Sequence, residues 1–198
     1  LDERLITFAN AEVYQGSLVT FPGTGVHPVV RHELVDGVGM VAQGEGAVET
    51  TTAEVDRVVE LVLEHARTRP QRSLGVIALG STHATRVEDA VRRAIGGLDD
   101  EALAFFDEGR PEAFFVKNLE SVQGDERDVN LISIGYGKAK GTDRLYGNFG
   151  PMNAEGGHRR LNVLITRAKV RCGVFTSIQS GDIKTTETTS RGLISLKA

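Results

Sequence analysis

The chain has a single cysteine and no tryptophan, and aromatic residues make up only 6% of its 198 residues. One cysteine, Cys172, excludes an internal disulfide and a cysteine-built zinc site. It lies in a strand-like apolar run and reads as an inert buried thiol. Sparse aromatics leave few platforms on which bases could stack. No apolar run approaches the ~20 residues that a membrane-spanning helix needs. The N-terminus also lacks the charged-then-apolar layout of a secretion signal. A cytoplasmic protein without a membrane partner is the expectation. A net charge of −4 argues against a general basic surface for nucleic acid. A local groove built from backbone amides and hydroxyls stays open. His27, His32, His65 and His158 show no metal-ligand spacing, so no metal site is expected.

The most informative absence is a phosphate loop, since the pattern GxxxxGK[ST] does not occur. Gly135-Tyr136-Gly137-Lys138 follows a strand-like run and comes nearest. Leu131, however, occupies the first-glycine position, and Ala139 replaces the hydroxyl residue that would hold magnesium. An Asp-Glu pair following an apolar strand is missing too. Asp99-Asp100-Glu101 follow glycines and suit the positive end of a helix. This chain by itself therefore lacks the parts that grip and hydrolyse a nucleotide.

What is present points to an α/β domain. The length fits one domain, or one with an extension, and 40% hydrophobic content supports a real core. Val55, Val58, Val59, Val62, Leu63 and Ala66 keep helical spacing over 53–68, with Thr51 and Glu54 as a capping box and Pro70 beyond the end. A second helix is predicted over 83–95, stopped by Gly96-Gly97, and short ones over 2–14 and 99–107. Runs near Val29–Leu34, Leu74–Leu79, Ala113–Lys117, Val129–Ile134 and Val170–Thr176 read as strands. Short apolar strands alternating with helices predict a three-layer domain, a mainly parallel sheet covered by helices on both faces. One helical turn around Ser121–Glu126 would make the short crossover between the third and fourth runs. Residues 137–157 form a long Gly-rich loop, and 180–190 are rich in Ser, Thr and charge.

Residues 159–169, RRLNVLITRAK, are predicted as a helix with Leu161, Leu164, Ile165 and Ala168 as its apolar stripe. Arg160 and Arg167 would flank that stripe, and planar guanidinium forks on a fixed helix suit phosphate oxygens. Residues 119–128, LESVQGDERD, read alone as a charged turn.

Together, the xQGxExD loop and the RRLNVxxTRA segment that follows it resemble the fifth and sixth motifs of Upf-like superfamily-one helicases. There both motifs belong to the second of two RecA-like domains. The segments DERLITFAN and SLGVIAL are similar to that domain as well, so the resemblance spans most of residues 1–178. It implies a second RecA-like domain over 1–178 and a linker or flexible extension over 179–198. Relatives carry Tyr-Arg just before the equivalent of Asp2, so the resemblance implies a fragment of a longer polypeptide. The first RecA-like domain, with the phosphate loop and the magnesium ligands, would lie upstream. The implied function is an ATP-dependent helicase or translocase acting on single-stranded nucleic acid, DNA favoured over RNA.

Position by position, the resemblance makes Arg167 the arginine finger on ATP and Glu126 the acceptor for a ribose hydroxyl. Gly124 would let backbone approach the triphosphate, and Gln123 would sit beside the γ-phosphate or the nucleic-acid path. Arg160, counted with the nucleotide-binding residues, and Asn162 would position the motif loops or pair with Glu120, and Asp128 would fix the loop structurally. Asn118 stands where many relatives have Thr beside the bound strand, and Glu120 where others have Asp or His. Ser81 and His83 fall near the place where relatives put Pro-Tyr and Gln; these four are the expected nucleic-acid contacts. Two other readings remain open. One is a non-catalytic RecA-like module that binds nucleic acid or protein. The other is an unrelated α/β enzyme using Arg159, Arg160 and Arg167 as anion clamps on a phosphorylated small molecule.

Overall fold

The structure, a computed structural model, describes residues 10, 29–41, 48–142, 145, 149–184 and 190–197. The helix expected over 2–14 lies outside the described residues, apart from Asn10. The strands are β1 (Val30–Leu34), β2 (Gly39–Val41), β3 (Val48–Thr51), β4 (Leu74–Ala78), β5 (Phe115–Asn118), β6 (Arg127–Ser133) and β7 (Ala168–Thr176). The helices are α1 (Thr52–Thr68), α2 (Ser81–Ile95), α3 (Asp100–Leu103), α4 (Gly157–Ile165) and α5 (Arg191–Lys197).

Five strands form a parallel sheet in the order β1–β7–β6–β4–β5. Every residue of β4 is buried, as a strand covered on both faces must be. Alternate residues feed two apolar layers. Leu74, Val76, Leu131 and Phe175 meet Val55, Val58, Val62, Val87 and Val91 of α1 and α2. Ile77, Leu79, Ile132, Ile134 and Cys172 meet Leu161 and Leu164 of α4. The expected three-layer arrangement is present. Val58 and Val62 are fully buried, and each such side chain stabilises the fold by about 1.5–3 kcal/mol. Gly75 leaves room on β4, because a Cβ there would stand 2.5 Å from the Phe115 ring.

Three local expectations are corrected. The capping box at α1 does not form: Thr51 is the N-cap without a side-chain cap bond. Its hydroxyl instead accepts from Ser177 Oγ at 2.9 Å, and Glu54 turns inward across the sheet. The RRLNVLITRAK helix stops at Ile165; Ala168 already begins β7, and Arg167 lies in the turn between them. The β5–β6 crossover consists of turns rather than a helical turn. An antiparallel pair, β2 with β3, precedes α1, and a bridge between Gly39 and Ala139 ties it to the long loop. The segment after residue 178 contains a capped 3-10 turn, Ser180–Asp182, and α5. Leu196 of α5 packs against the α4-side core.

Candidate functional site

The expected site residues fall into two groups at opposite ends of the sheet. β6 is seven residues long, so its ends are about 20 Å apart at ~3.3 Å per residue.

At the amino end, Glu126 and Arg167 immediately precede the paired residues Arg127 and Ala168 of β6 and β7. The pairing continues into the turn, where Arg127 N donates to Arg167 O at 3.3 Å. Arg167 Nη1 stands 4.0 Å from Glu126 Oε1, and the side chains are 24% and 54% exposed. Arg167 Nε is buried without a hydrogen-bond partner. Gln123 and Gly124 are exposed in the preceding turn. Gly124 has a φ of +88°, and a Cβ there would meet nothing within 4 Å. Glycine is therefore required by backbone conformation at this position.

The surrounding cations are committed. Lys117 pairs with Asp125 at 2.5 Å and ties the loop to β5. Arg127 donates through Nε and Nη2 to Ala113 O at 2.9 and 2.7 Å and stacks 4.6 Å over the Phe115 ring. Asp128 Oδ2 accepts from Ser73 N at 3.2 Å, a structural tie. Arg160 lies apart from this corner. It sits in the first turn of α4, and its Nη1 donates to Pro151 O at 2.8 Å.

At the carboxyl end, a cleft of about 260 Å³ gathers all four expected nucleic-acid residues, Ser81, His83, Asn118 and Glu120. Ser81 and Glu120 are exposed. Asn118 Oδ1 accepts from the backbone N–H groups of Glu120 and Ser121 at 3.0 and 2.9 Å, so its oxygen caps the turn. The amino end of α2 lies beside the cleft. Its N-cap, Gly80, offers no side-chain cap, and its first turn holds no acidic residue. Its first N–H groups are available to an anion.

His83 differs from expectation. It is 3% exposed, so its ring forms part of the wall behind the cleft and cannot reach along a strand. Nδ1 lies 2.8 Å from Thr50 Oγ1 and Nε2 lies 2.7 Å from Ser133 Oγ. Burial, with a lesser contribution from the Arg86 charge, pushes its pKa down to about 4.

The sequence reading missed Glu54, which is fully buried in the same wall. Its Oε2 accepts from Ser133 Oγ at 2.8 Å and from Gly135 N at 2.7 Å. Burial raises its pKa, opposed by those two bonds and by the Ser177 and Thr51 hydroxyls. The available signal was its position: a carboxylate in the first turn of α1, on the same face as the buried Val55, Val58 and Val62.

No family model matches the chain. It is 31% identical over 191 residues to the uncharacterized ATP-dependent helicase MG140 of Mycoplasma genitalium. The same identity over 191 residues holds for the MG140 homolog of Mycoplasma pneumoniae. Each match covers 95% of this chain and 16% of the relative's length. A crystal structure of the C-terminal domain of a possible DNA helicase from Lactobacillus plantarum WCFS1 superposes with a TM-score of 0.48 at 14% identity, covering 89% of this chain and 84% of that one. Among the described residues, no helix is long and apolar enough to cross a membrane. Over nearly its whole length, the chain is similar to a segment of these proteins, and it spans about a sixth of their length.

Proposed function

We propose that this chain is the second motor domain of an ATP-dependent helicase or translocase that moves on single-stranded DNA. Residues 1–178 form the RecA-like unit, and α5 packs back onto it. The observation that carries the reading is the state of Arg167. Arg86, Arg127 and Arg160 each have hydrogen bonds to backbone carbonyls within 3 Å. Arg167 has a neighbouring carboxylate at 4.0 Å and a buried Nε without a partner. A guanidinium held at the amino end of the sheet but not consumed there is a charge reserved for a ligand.

The amino-end corner fits the flank of a nucleoside triphosphate held mainly by another domain. Arg167 supplies a cation, Glu126 an exposed acceptor for a ribose hydroxyl, and the Gln123–Gly124 turn backbone without bulk. Magnesium ligands belong to the first RecA-like domain. ATP, when bound, supplies the phosphoanhydride whose cleavage drives the cycle. Arg167 offsets charge that builds on the transferred phosphoryl group, an effect of about 10³–10⁵ in rate for such fingers. At the carboxyl end, Ser81, Asn118, Glu120 and the α2 amino end line the path of the strand, where small polar groups hold phosphates without reading sequence. A cytoplasmic location follows from that role.

The test is Arg167→Ala in the whole protein. DNA-stimulated ATP hydrolysis should fall about 10³-fold or more, while ATP binding by fluorescence titration stays near wild type. Near-normal turnover overturns the finger role.

A further inference from the structure

The wall behind the carboxyl-end cleft carries a hydrogen-bonded chain whose direction can be worked out. Arg86 can only donate, and its Nη1 contacts Thr50 Oγ1 at 2.5 Å and Thr50 O at 2.9 Å. At the other end, Glu54 Oε2 already accepts from Gly135 N, so it accepts from Ser133 as well. Ser133 Oγ has spent its proton on Glu54 and must accept from His83 Nε2–H. His83 Nδ1 then accepts from the Thr50 hydroxyl, whose oxygen accepts from Arg86. With Glu54 ionised and His83 as the neutral Nε2–H tautomer, every donor in the run has an acceptor. Titratable or charged neighbours facing Glu54 are His83 and, through Thr50, Arg86, both on α2.

The chain joins β3, α1, α2, β6 and the loop after β6. Three of its members, Thr50, His83 and Gly135, line the cleft. Two of them hold unusual backbone. Thr50 has a φ of +49°, and Gly135 one of +77°. A β-branched residue in the left-handed region is strained, and it persists only where its surroundings over-determine it. Here Arg86 grips both its carbonyl and its hydroxyl. Gly135 lies so close to His83 that a Cβ would stand 2.5 Å from the ring.

We infer that Glu54 is a positioning residue for strand binding: by anchoring Ser133, His83 and the Gly135 amide, it sets the rear wall against which single-stranded DNA lies. It touches no ligand itself. The inference rests on the strand-path reading of the cleft, and it adds a residue remote from the surface to that site.

The experiment compares Glu54→Leu, Glu54→Gln and Ser133→Ala in the whole protein, with an oligodeoxythymidine strand as probe. Glu54→Leu should raise the strand concentration for half-maximal ATPase stimulation about tenfold, since one anchored set of bonds is lost. Turnover at saturating strand should stay within about twofold. Glu54→Gln, which keeps an acceptor for Ser133 and Gly135, should restore affinity to within about twofold of wild type. A merely structural role would lower the folded fraction and the amplitude, leaving half-saturation unmoved. A folded Glu54→Leu with wild-type half-saturation overturns the inference, as does a Glu54→Gln as weak as Glu54→Leu. If Glu54→Leu does not fold, Ser133→Ala decides: a several-fold weaker strand affinity supports the role, and unchanged affinity overturns it. Wild-type protein that shows no strand binding at all instead overturns the strand path.

Discussion

The two ends of this sheet are built to opposite plans. At the carboxyl end, buried polar groups are bonded to one another in series: Arg86, Thr50, His83, Ser133 and Glu54. At the amino end, Arg167 and Glu126 face each other at 4.0 Å at the surface. A site that is complete within one domain can be wired internally and lined by strained backbone. A corner that works only against a second surface must keep its charge uncommitted. On the proposed function, the contrast between Arg86 and Arg167 separates a wall from a half-site, and paired substitutions can break or sharpen it.

The largest difference is expected between Arg167→Ala and Arg160→Ala. Removing Arg167 should cost orders of magnitude in turnover and little in stability, because its fork has only the long 4.0 Å contact with Glu126. Removing Arg160 should cost about 1–2 kcal/mol of stability through the lost bond to Pro151 O. Its effect on turnover should be far smaller. Equal kinetic losses would return Arg160 to the nucleotide site.

The sheet and its covering helices were legible because each strand is a short apolar run and each helix carries a periodic stripe. Val58, Val62, Val87 and Val91 sit where their spacing put them. Failures came where one local pattern fits two geometries. Glu54 three residues after Thr51 looks the same whether its carboxylate bends back to cap α1 or crosses to Ser133, 79 residues away. Ala168 keeps the stripe of α4 and equally suits a strand, and the sheet claimed it through pairing with Arg127. His83 follows β4 closely, yet only the fold brings Thr50 and Ser133 to its two nitrogens. Non-local partners leave no trace in a short window.

Gly135→Ala and Gly124→Ala test the same contrast through backbone. Both positions have φ near +80°, so each alanine meets a left-handed cost of about 1–2 kcal/mol. Only Gly135 adds a collision with the His83 ring, which brings its loss to roughly 2–5 kcal/mol. Urea denaturation of the two variants should rank them clearly, and equal losses would mean that His83 yields freely.

Acid should act mainly on the carboxyl end. His83 has a folded pKa of about 4 against an ordinary 6.5, so the unfolded chain binds a proton first as pH falls. Its contribution is present above pH 6.5 and is lost between 6.5 and 4, roughly 3 kcal/mol in all. Glu54 works in the opposite sense. Its raised pKa favours the folded state on the acid side, and that support is lost as pH rises above 4.5. Comparing wild type with His83→Gln isolates the histidine: the variant should lose less stability from pH 7 to 4. Parallel stability curves would refute the buried neutral imidazole.

The smallest effect belongs to the amino end. Glu112 binds Lys169 across the sheet edge and accepts from Ser73 Oγ at 2.5 Å. The Lys169 bond first, then the Ser73 bond, hold its pKa below the ordinary carboxylate value. Lys169 and Glu112 are 37% and 41% exposed, and water competes for both. Lys169→Ala should therefore cost no more than about 0.2–1 kcal/mol. That cost should vanish at ~1 M salt, where the screening length is near 3 Å. The loss from Ser133→Ala, inside the dry wall, should persist at the same salt. A salt-insensitive Lys169 variant would show that the amino-end surface is fixed more firmly than its exposure implies, and Arg167 with it.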